Sequence, residues 1–297
     1  MTSDLNAYRR FFAEDIQLCA NLRSEALTEA LATVPRERFL PPGPWIIKGE
    51  ADFQAPPRKT RGDDPRFVYH NVGVAIDPAR MLFNGAPGLV CSAIDALALE
   101  PGQRALHVGG GTGYYTALMA HVVGSSGSVR MIEVDEDLAR QAAANLGSLP
   151  WVTAQQGDGR GVTGGPYNGI MINAGVTHPE REWLSALAPG GRLVLPLTAG
   201  FGAGAASAFA SPMANLSKGL IVQIGRVGNS DAFSARLVTF VAIYSAVGLR
   251  DAAANEELGR ALVRMPFPAL RRFRLDAHDA DATCWCHTAK GCWSIAE

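Results

Sequence analysis

Arg104-Ala105-Leu106-His107-Val108-Gly109-Gly110-Gly111-Thr112-Gly113-Tyr114-Tyr115 is the stretch that decides how this chain is read. A short apolar run ends at Val108 and passes into glycines at 109, 111 and 113, and Thr116-Ala117-Leu118-Met119-Ala120 then reads as a helix. Strand, glycine turn and helix in that order let the backbone approach a bound group closely, because side chains are missing where the group must lie. Glu133 closes the next apolar run, Ser128-Val129-Arg130-Met131-Ile132-Glu133-Val134-Asp135. A carboxylate roughly 20 residues beyond the glycines is where a doubly wound fold holds the hydroxyls of a bound ribose. Asp135 reads as the cap of the following helix, since acids favour helix starts.

Outward from that stretch, strands alternate with helices. Helices are expected near 88–99, 113–123, 136–146 and 179–187, with strands at 104–108, 128–134, 151–156, 168–173 and 192–197. This alternation predicts an α/β protein with a mostly parallel sheet covered on both faces. Residues 5–32 carry helical spacing, and Val34-Pro35-Arg36-Glu37-Arg38-Phe39-Leu40-Pro41 ends that helix. Residues 43–80 read as irregular. Beyond Pro196, Gly200 to Ser211 reads as a loop. Two β-rich runs at 219–224 and 236–244 are suited to an antiparallel pair on the sheet edge. Asp251 to Arg264 reads as a helix and 283–296 as a final β-like segment. Three parts follow: an N-terminal helical and loop segment (1–80) packed on the core, a cofactor-binding core (81–200), and C-terminal strands and helix (201–297) that complete the same body.

The 297 residues can bury a sizeable core, and 47% hydrophobic with 19% charged residues fits a globular enzyme. A net charge of -1 offers no electrostatic case for nucleic acid or an anionic membrane. Met1-Thr2-Ser3-Asp4-Leu5 has no basic region ahead of an apolar one, so no signal peptide is expected. The five cysteines, an odd number, suggest reduced thiols and a cytoplasmic protein. Cys284-Trp285-Cys286-His287 with Cys292 invites a zinc reading. The Cys-x-Cys spacing is tight and no second pair stands nearby, so no metal is expected.

Four motifs resemble the protein-L-isoaspartate O-methyltransferases: Val34 to Pro41, the His107–Tyr114 turn, Gly157-Asp158-Gly159, and Leu187-Ala188-Pro189-Gly190-Gly191-Arg192-Leu193-Val194-Leu195-Pro196. They fall in that family's order over about residues 30–200. The resemblance implies a Rossmann-like seven-stranded methyltransferase sheet, with an N-terminal helical segment and a C-terminal β/α extension. It also implies S-adenosyl-L-methionine as cofactor. Gly109, Gly111 and Gly113 would line its methionine and ribose, Glu133 would hold the ribose hydroxyls, and Asp158 would face the adenine amino group. Thr112, Tyr114 and Asn173 join that cofactor set. His107, where the family usually has an acid, is either a cofactor contact or a core histidine. The family carries Ser-Ala-Pro-His ahead of this unit, and here Gly85 and Gly88 replace its serine and histidine. That departure predicts poor turnover of isoaspartyl peptides.

An ionised carboxylate needs no general base to accept a methyl group, whereas a phenol near pKa 10 does. Carboxyl O-methylation of a peptide, protein or small acid is therefore the leading reading. A hydroxyl- or nitrogen-directed methyltransferase with His178 as base is the second. A catalytically silent cofactor-binding protein is the third. Asn84 and His178 are the candidate catalytic residues; the alternatives are a turn-shaping asparagine and a surface histidine.

Overall fold

Asp4 opens the first helix, accepting from Asn6 N at 3.0 Å, and α1 (Leu5–Cys19) follows. The computed structural model describes residues 4–49, 55–200, 216–264 and 269–297. One helix over 5–32 is expected, but Asn21 takes a left-handed φ of 51° and Ser24 caps a second helix, α2 (Glu25–Thr33). Asparagine tolerates that backbone and a serine oxygen satisfies free helix N–H groups, so the break falls there. Residues 43–80 are more regular than expected. Strands β1 (Ile46–Gly49), β2 (Arg58–Lys59), β3 (Val72–Asp77) and β4 (Leu82–Phe83) form an antiparallel sheet in the order β2-β1-β3-β4. Strands of two to six residues among prolines and glycines carry too little alternation to be read from sequence.

The chain divides into two compact units, Met1–Asp158 and Gly159–Glu297. The first continues with α3 (Pro87–Leu97), β5 (Arg104–Val108), α4 (Tyr114–Val123), β6 (Ser128–Glu133), α5 (Glu136–Leu146) and β7 (Val152–Gln156). These bounds lie within two residues of those read from sequence. Strands β5, β6 and β7 are parallel, with Ala105 beside Val129 and Val129 beside Val152. Helix α2 packs on α4 and α1 on α3, burying Phe12, Ile16, Leu27 and Leu31. Asp135 caps α5 as expected, accepting from Leu138 N at 3.0 Å.

The second unit contains β8 (Tyr167–Ile172), α6 (Arg181–Ser185), β9 (Leu187–Gly200), β10 (Leu216–Arg226), β11 (Phe233–Tyr244), α7 (Ala252–Leu262), β12 (Arg272–Arg274), β13 (Cys284–Thr288) and β14 (Gly291–Ser294). Strands β8 and β9 are parallel, and β10 lies antiparallel on β9 from Ser217↔Gly200 to Gly225↔Arg192. Strand β11 pairs with β10, and the short β12 joins β11 to the β13–β14 hairpin. The antiparallel pair read from sequence is present and longer than expected. Apart from Gly200, the expected loop at 200–211 lies outside the described residues. Among the described residues no helix is long and apolar enough to cross a membrane.

Candidate cofactor and active site

Three neighbouring parallel strands of the first unit end side by side. Val108 pairs with Ile132 and Glu133 with Gln156. Two backbone bonds tie the loops beyond them to β6: Gly109 N donates to Ile132 O at 2.8 Å, and Gly157 N to Glu133 O at 2.9 Å. Asp158 therefore follows β7 close to Glu133 in the chain's path. Carboxyl ends of parallel strands are where open α/β sheets bind ligands.

Glu133 is buried at this edge. Its Oε2 accepts from Gly111 N at 2.8 Å and its Oε1 from Asp135 N at 3.1 Å. The carboxylate thus holds the glycine turn, and each oxygen keeps acceptor capacity for a further donor such as a ribose hydroxyl. Gly111 has φ +58°, and a Cβ there would lie 3.1 Å from Ile76 Cδ1. Gly113 heads α4 with φ +95°, and a Cβ there would lie 2.9 Å from Leu146 Cδ1. Both positions favour glycine for conformation, and the side-chain tips facing them leave little room for a Cβ. A pinned, glycine-rich turn beside a buried carboxylate with acceptor capacity to spare fits the expected cofactor.

Other members of the expected set lie deeper. His107 is wholly buried, with Nδ1 2.8 Å from Thr116 Oγ1, and burial pushes its pKa down to about 4. The ring is therefore neutral in the folded chain. Thr112 and Tyr114 are buried as well. The Tyr114 ring lies 5.7 Å from Phe39, 5.1 Å from Tyr115 and 5.8 Å from the Arg36 guanidinium carbon. The Tyr114 ring is spent on these neighbours, which a motif match alone does not reveal.

Arg36, from the Val-Pro-Arg-Glu-Arg-Phe motif, carries no role in the sequence reading, yet it organises the loop ahead of α3. It is wholly buried. Nη1 donates to Val68 O at 2.7 Å and His70 O at 3.2 Å, and Nη2 to Val72 O at 2.8 Å and Asn84 Oδ1 at 3.3 Å. Asn84 Oδ1 also accepts from Val74 N at 3.1 Å, while its Nδ2 is buried without a partner among the described residues. Gly85 O accepts from Tyr115 OH at 3.1 Å. Asn71 fills the space beside Gly88: its Oδ1 accepts from Gly88 N at 2.8 Å, and a Cβ at 88 would lie 2.9 Å from its Nδ2. A polar amide therefore stands where the glycine lacks a side chain.

In the second unit, Asn173 follows β8, and the segment after it is tied down at Gly175 and Val176. Gly175 N donates to Tyr244 O at 2.7 Å and Val176 N to Pro196 O at 2.9 Å. His178 is buried rather than on the surface, and burial holds its pKa below the usual value against the opposing effect of Glu180. Asp251 N donates to Thr177 Oγ1 at 3.0 Å, and Thr177 Oγ1 lies 2.9 Å from His178 Nδ1. His178 Nε2 lies 3.3 Å from Glu180 Oε1. A carboxylate only accepts, so the proton belongs on Nε2 and Nδ1 takes the threonine hydroxyl.

Residues 53–209 match the family model described as Protein-L-isoaspartate(D-aspartate) O-methyltransferase (PCMT). A protein-L-isoaspartate O-methyltransferase of Aeropyrum pernix is 31% identical over 202 residues, covering 65% of this chain and 69% of that protein. Protein-L-isoaspartate O-methyltransferase 1 of Rhodopseudomonas palustris is 32% identical over 192 residues, covering 64% and 69%. A solved protein-L-isoaspartate O-methyltransferase aligns with TM-score 0.61 at 21% identity, covering 85% of this chain and 69% of that one. A putative enzyme of that name from Plasmodium falciparum, in complex with S-adenosyl-L-homocysteine, aligns with TM-score 0.56 at 16% identity, covering 80% and 97%. These structures share the α/β methyltransferase fold. The relatives do not bear out the expected departure from isoaspartyl enzymes at Gly85 and Gly88. By motif, fold and relatives, the chain belongs to the protein-L-isoaspartate(D-aspartate) O-methyltransferase family of S-adenosylmethionine-dependent enzymes.

Proposed function

We propose that this chain transfers the methyl group of S-adenosylmethionine to a carboxylate on a peptide or protein, the isoaspartyl carboxylate for which its relatives are named. The glycine turn held by Glu133 carries this reading. When bound, the cofactor supplies a methyl group activated on a sulfonium, so the protein's task is position and exclusion of water. Glu133 offers its remaining acceptor capacity to the ribose hydroxyls, Gly111 and Gly113 keep the turn free of side chains, and Asp158 takes the adenine amino group. Asn173 stays in the cofactor set.

The acceptor carboxylate is ionised at neutral pH and presents its own lone pair. Asn84 and His178 then act as positioning residues. Asn84 holds a buried amide donor, and His178 spends both ring nitrogens on Thr177 and Glu180. That network leaves His178 no free lone pair with which to deprotonate a hydroxyl.

Base lability tests the reading. The full chain is incubated with methyl-labelled S-adenosylmethionine and an isoaspartyl peptide, and the product is held in mild base. A methyl ester releases labelled methanol; label that stays on the peptide means an ether or amine and contradicts carboxyl transfer. Cofactor binding with no turnover over a broad acceptor panel would favour a silent binding protein.

A further inference from the structure

Four side chains of the second unit converge outside the site described above. His278, Cys284, His287 and Cys292 each offer one ligand atom, and these atoms all lie within 4.8 Å of one another. Read along the chain, Cys284 and Cys286 form one Cys-x-Cys pair, and that reading yields no metal. The fold separates the two. Cys284 pairs with Ser294 and Cys286 with Trp293, so two residues of β13 oppose one of β14. A bulge of this kind re-aims the side chains beyond it. It brings His287, three positions after Cys284, to the same face and directly opposite Cys292. Cys286 falls outside the cluster.

We propose that His278, Cys284, His287 and Cys292 form a tetrahedral zinc site that fastens the loop before β13 to the β13–β14 hairpin. The donor set is two thiols and two imidazoles, the soft mixture that suits zinc. His278 Nδ1 lies 2.9 Å from the Asp276 carbonyl. A carbonyl only accepts, so the proton sits on Nδ1 and Nε2 presents its lone pair. Metal-binding histidines are oriented by this kind of outer bond. His278 Nε2 is 3.6 Å from Cys284 Sγ. Zinc–sulfur and zinc–nitrogen bonds of about 2.3 and 2.0 Å at a tetrahedral angle set those two ligand atoms about 3.5 Å apart. Asp281 N–H faces Cys284 Sγ at 3.5 Å, a donor suited to a thiolate. His287 Nδ1 is buried with no hydrogen-bond partner among the described residues, and Cys292 is almost wholly buried. With all four positions filled by the protein, the site is structural, and it does not depend on the acceptor proposed above.

Zinc content tests the proposal on the full chain, expressed with added zinc and purified without chelator. Mass spectrometry of the metal should find about one zinc per chain in the parent and in Cys286→Ser, and less than about a tenth of that in Cys292→Ser. Should Cys292→Ser fail to fold, the parent still decides: cobalt put in place of zinc should give the visible bands of a tetrahedral thiolate site, unchanged in Cys286→Ser. A parent chain that holds no zinc overturns the site. Loss of zinc or of the cobalt bands in Cys286→Ser overturns the choice of ligands.

Discussion

Glu133 carries two duties through one carboxylate. It accepts from Gly111 N and Asp135 N, and the cofactor reading gives it the ribose hydroxyls as well. Glu133→Ala should weaken S-adenosylmethionine binding by about tenfold to a hundredfold, the effect of about 1–3 kcal/mol lost from bonds to a charged group. Calorimetry that finds the affinity unchanged would remove Glu133 from the site. The Asp135 cap was legible in sequence because it depends on a residue three positions away, and the place of Glu133 at the end of its strand because it follows the glycines at a spacing of roughly 20 residues. His107 was legible only as a choice between two roles, since burial is decided by distant packing. Its ring stays neutral in the folded chain down to about pH 4, while an unfolded histidine protonates near pH 6.5. The unfolded state therefore binds more protons between those values, and His107 stabilises the fold above pH 6.5. That contribution, about 3 kcal/mol, is lost as pH falls through the window. Denaturation of the parent beside His107→Gln should show a steeper loss from pH 6.5 to 4 in the parent; equal slopes would contradict the buried neutral histidine.

Among elements, the stretch from Pro87 to Gln156 was readable because helices of ten or eleven residues alternate there with apolar strand runs, each bounded by glycine, proline or an acid cap. The break between α1 and α2 was not, since Asn21 and Ser24 end one helix and begin another without disturbing the apolar spacing. The small β1–β4 sheet was hidden for a related reason. Its loops are ordered by Arg36, whose acceptors lie 32 to 48 residues away in sequence. Arg36→Met should strand several carbonyls at once and cost roughly 2–5 kcal/mol, read as a lower thermal midpoint with a matching loss of methyl transfer. A midpoint within a degree or two of the parent's would show that the arginine holds nothing together. The bulge in β13 is the clearest case of hidden geometry: period-2 alternation puts Cys284 with Cys286, and one extra residue exchanges Cys286 for His287.

For the whole chain, the family was visible in four motifs, and the residues after 200 read as strands and a helix that complete the same body. Strand β10 lies along β9 over nine residue pairs, and β11 covers β10 in turn. We propose that residues 201–297 complete the body of the protein and are no separate module. Removing them would strip β9 of its antiparallel neighbour and leave a long open edge, which invites aggregation. A fragment of residues 1–200 should accordingly be insoluble or molten. A cooperative thermal transition together with normal cofactor binding by that fragment would contradict this.

Methyl transfer from S-adenosylmethionine to an isoaspartyl peptide, run beside its aspartyl isomer on the full-length chain, bears most directly on what the protein does. The isoaspartyl peptide should gain a methyl group at a rate well above the isomer, and Glu133→Ala should lower that rate by about tenfold to a hundredfold at limiting cofactor. Equal rates on both peptides, or no transfer to either by a chain that binds the cofactor, would contradict the proposed reaction.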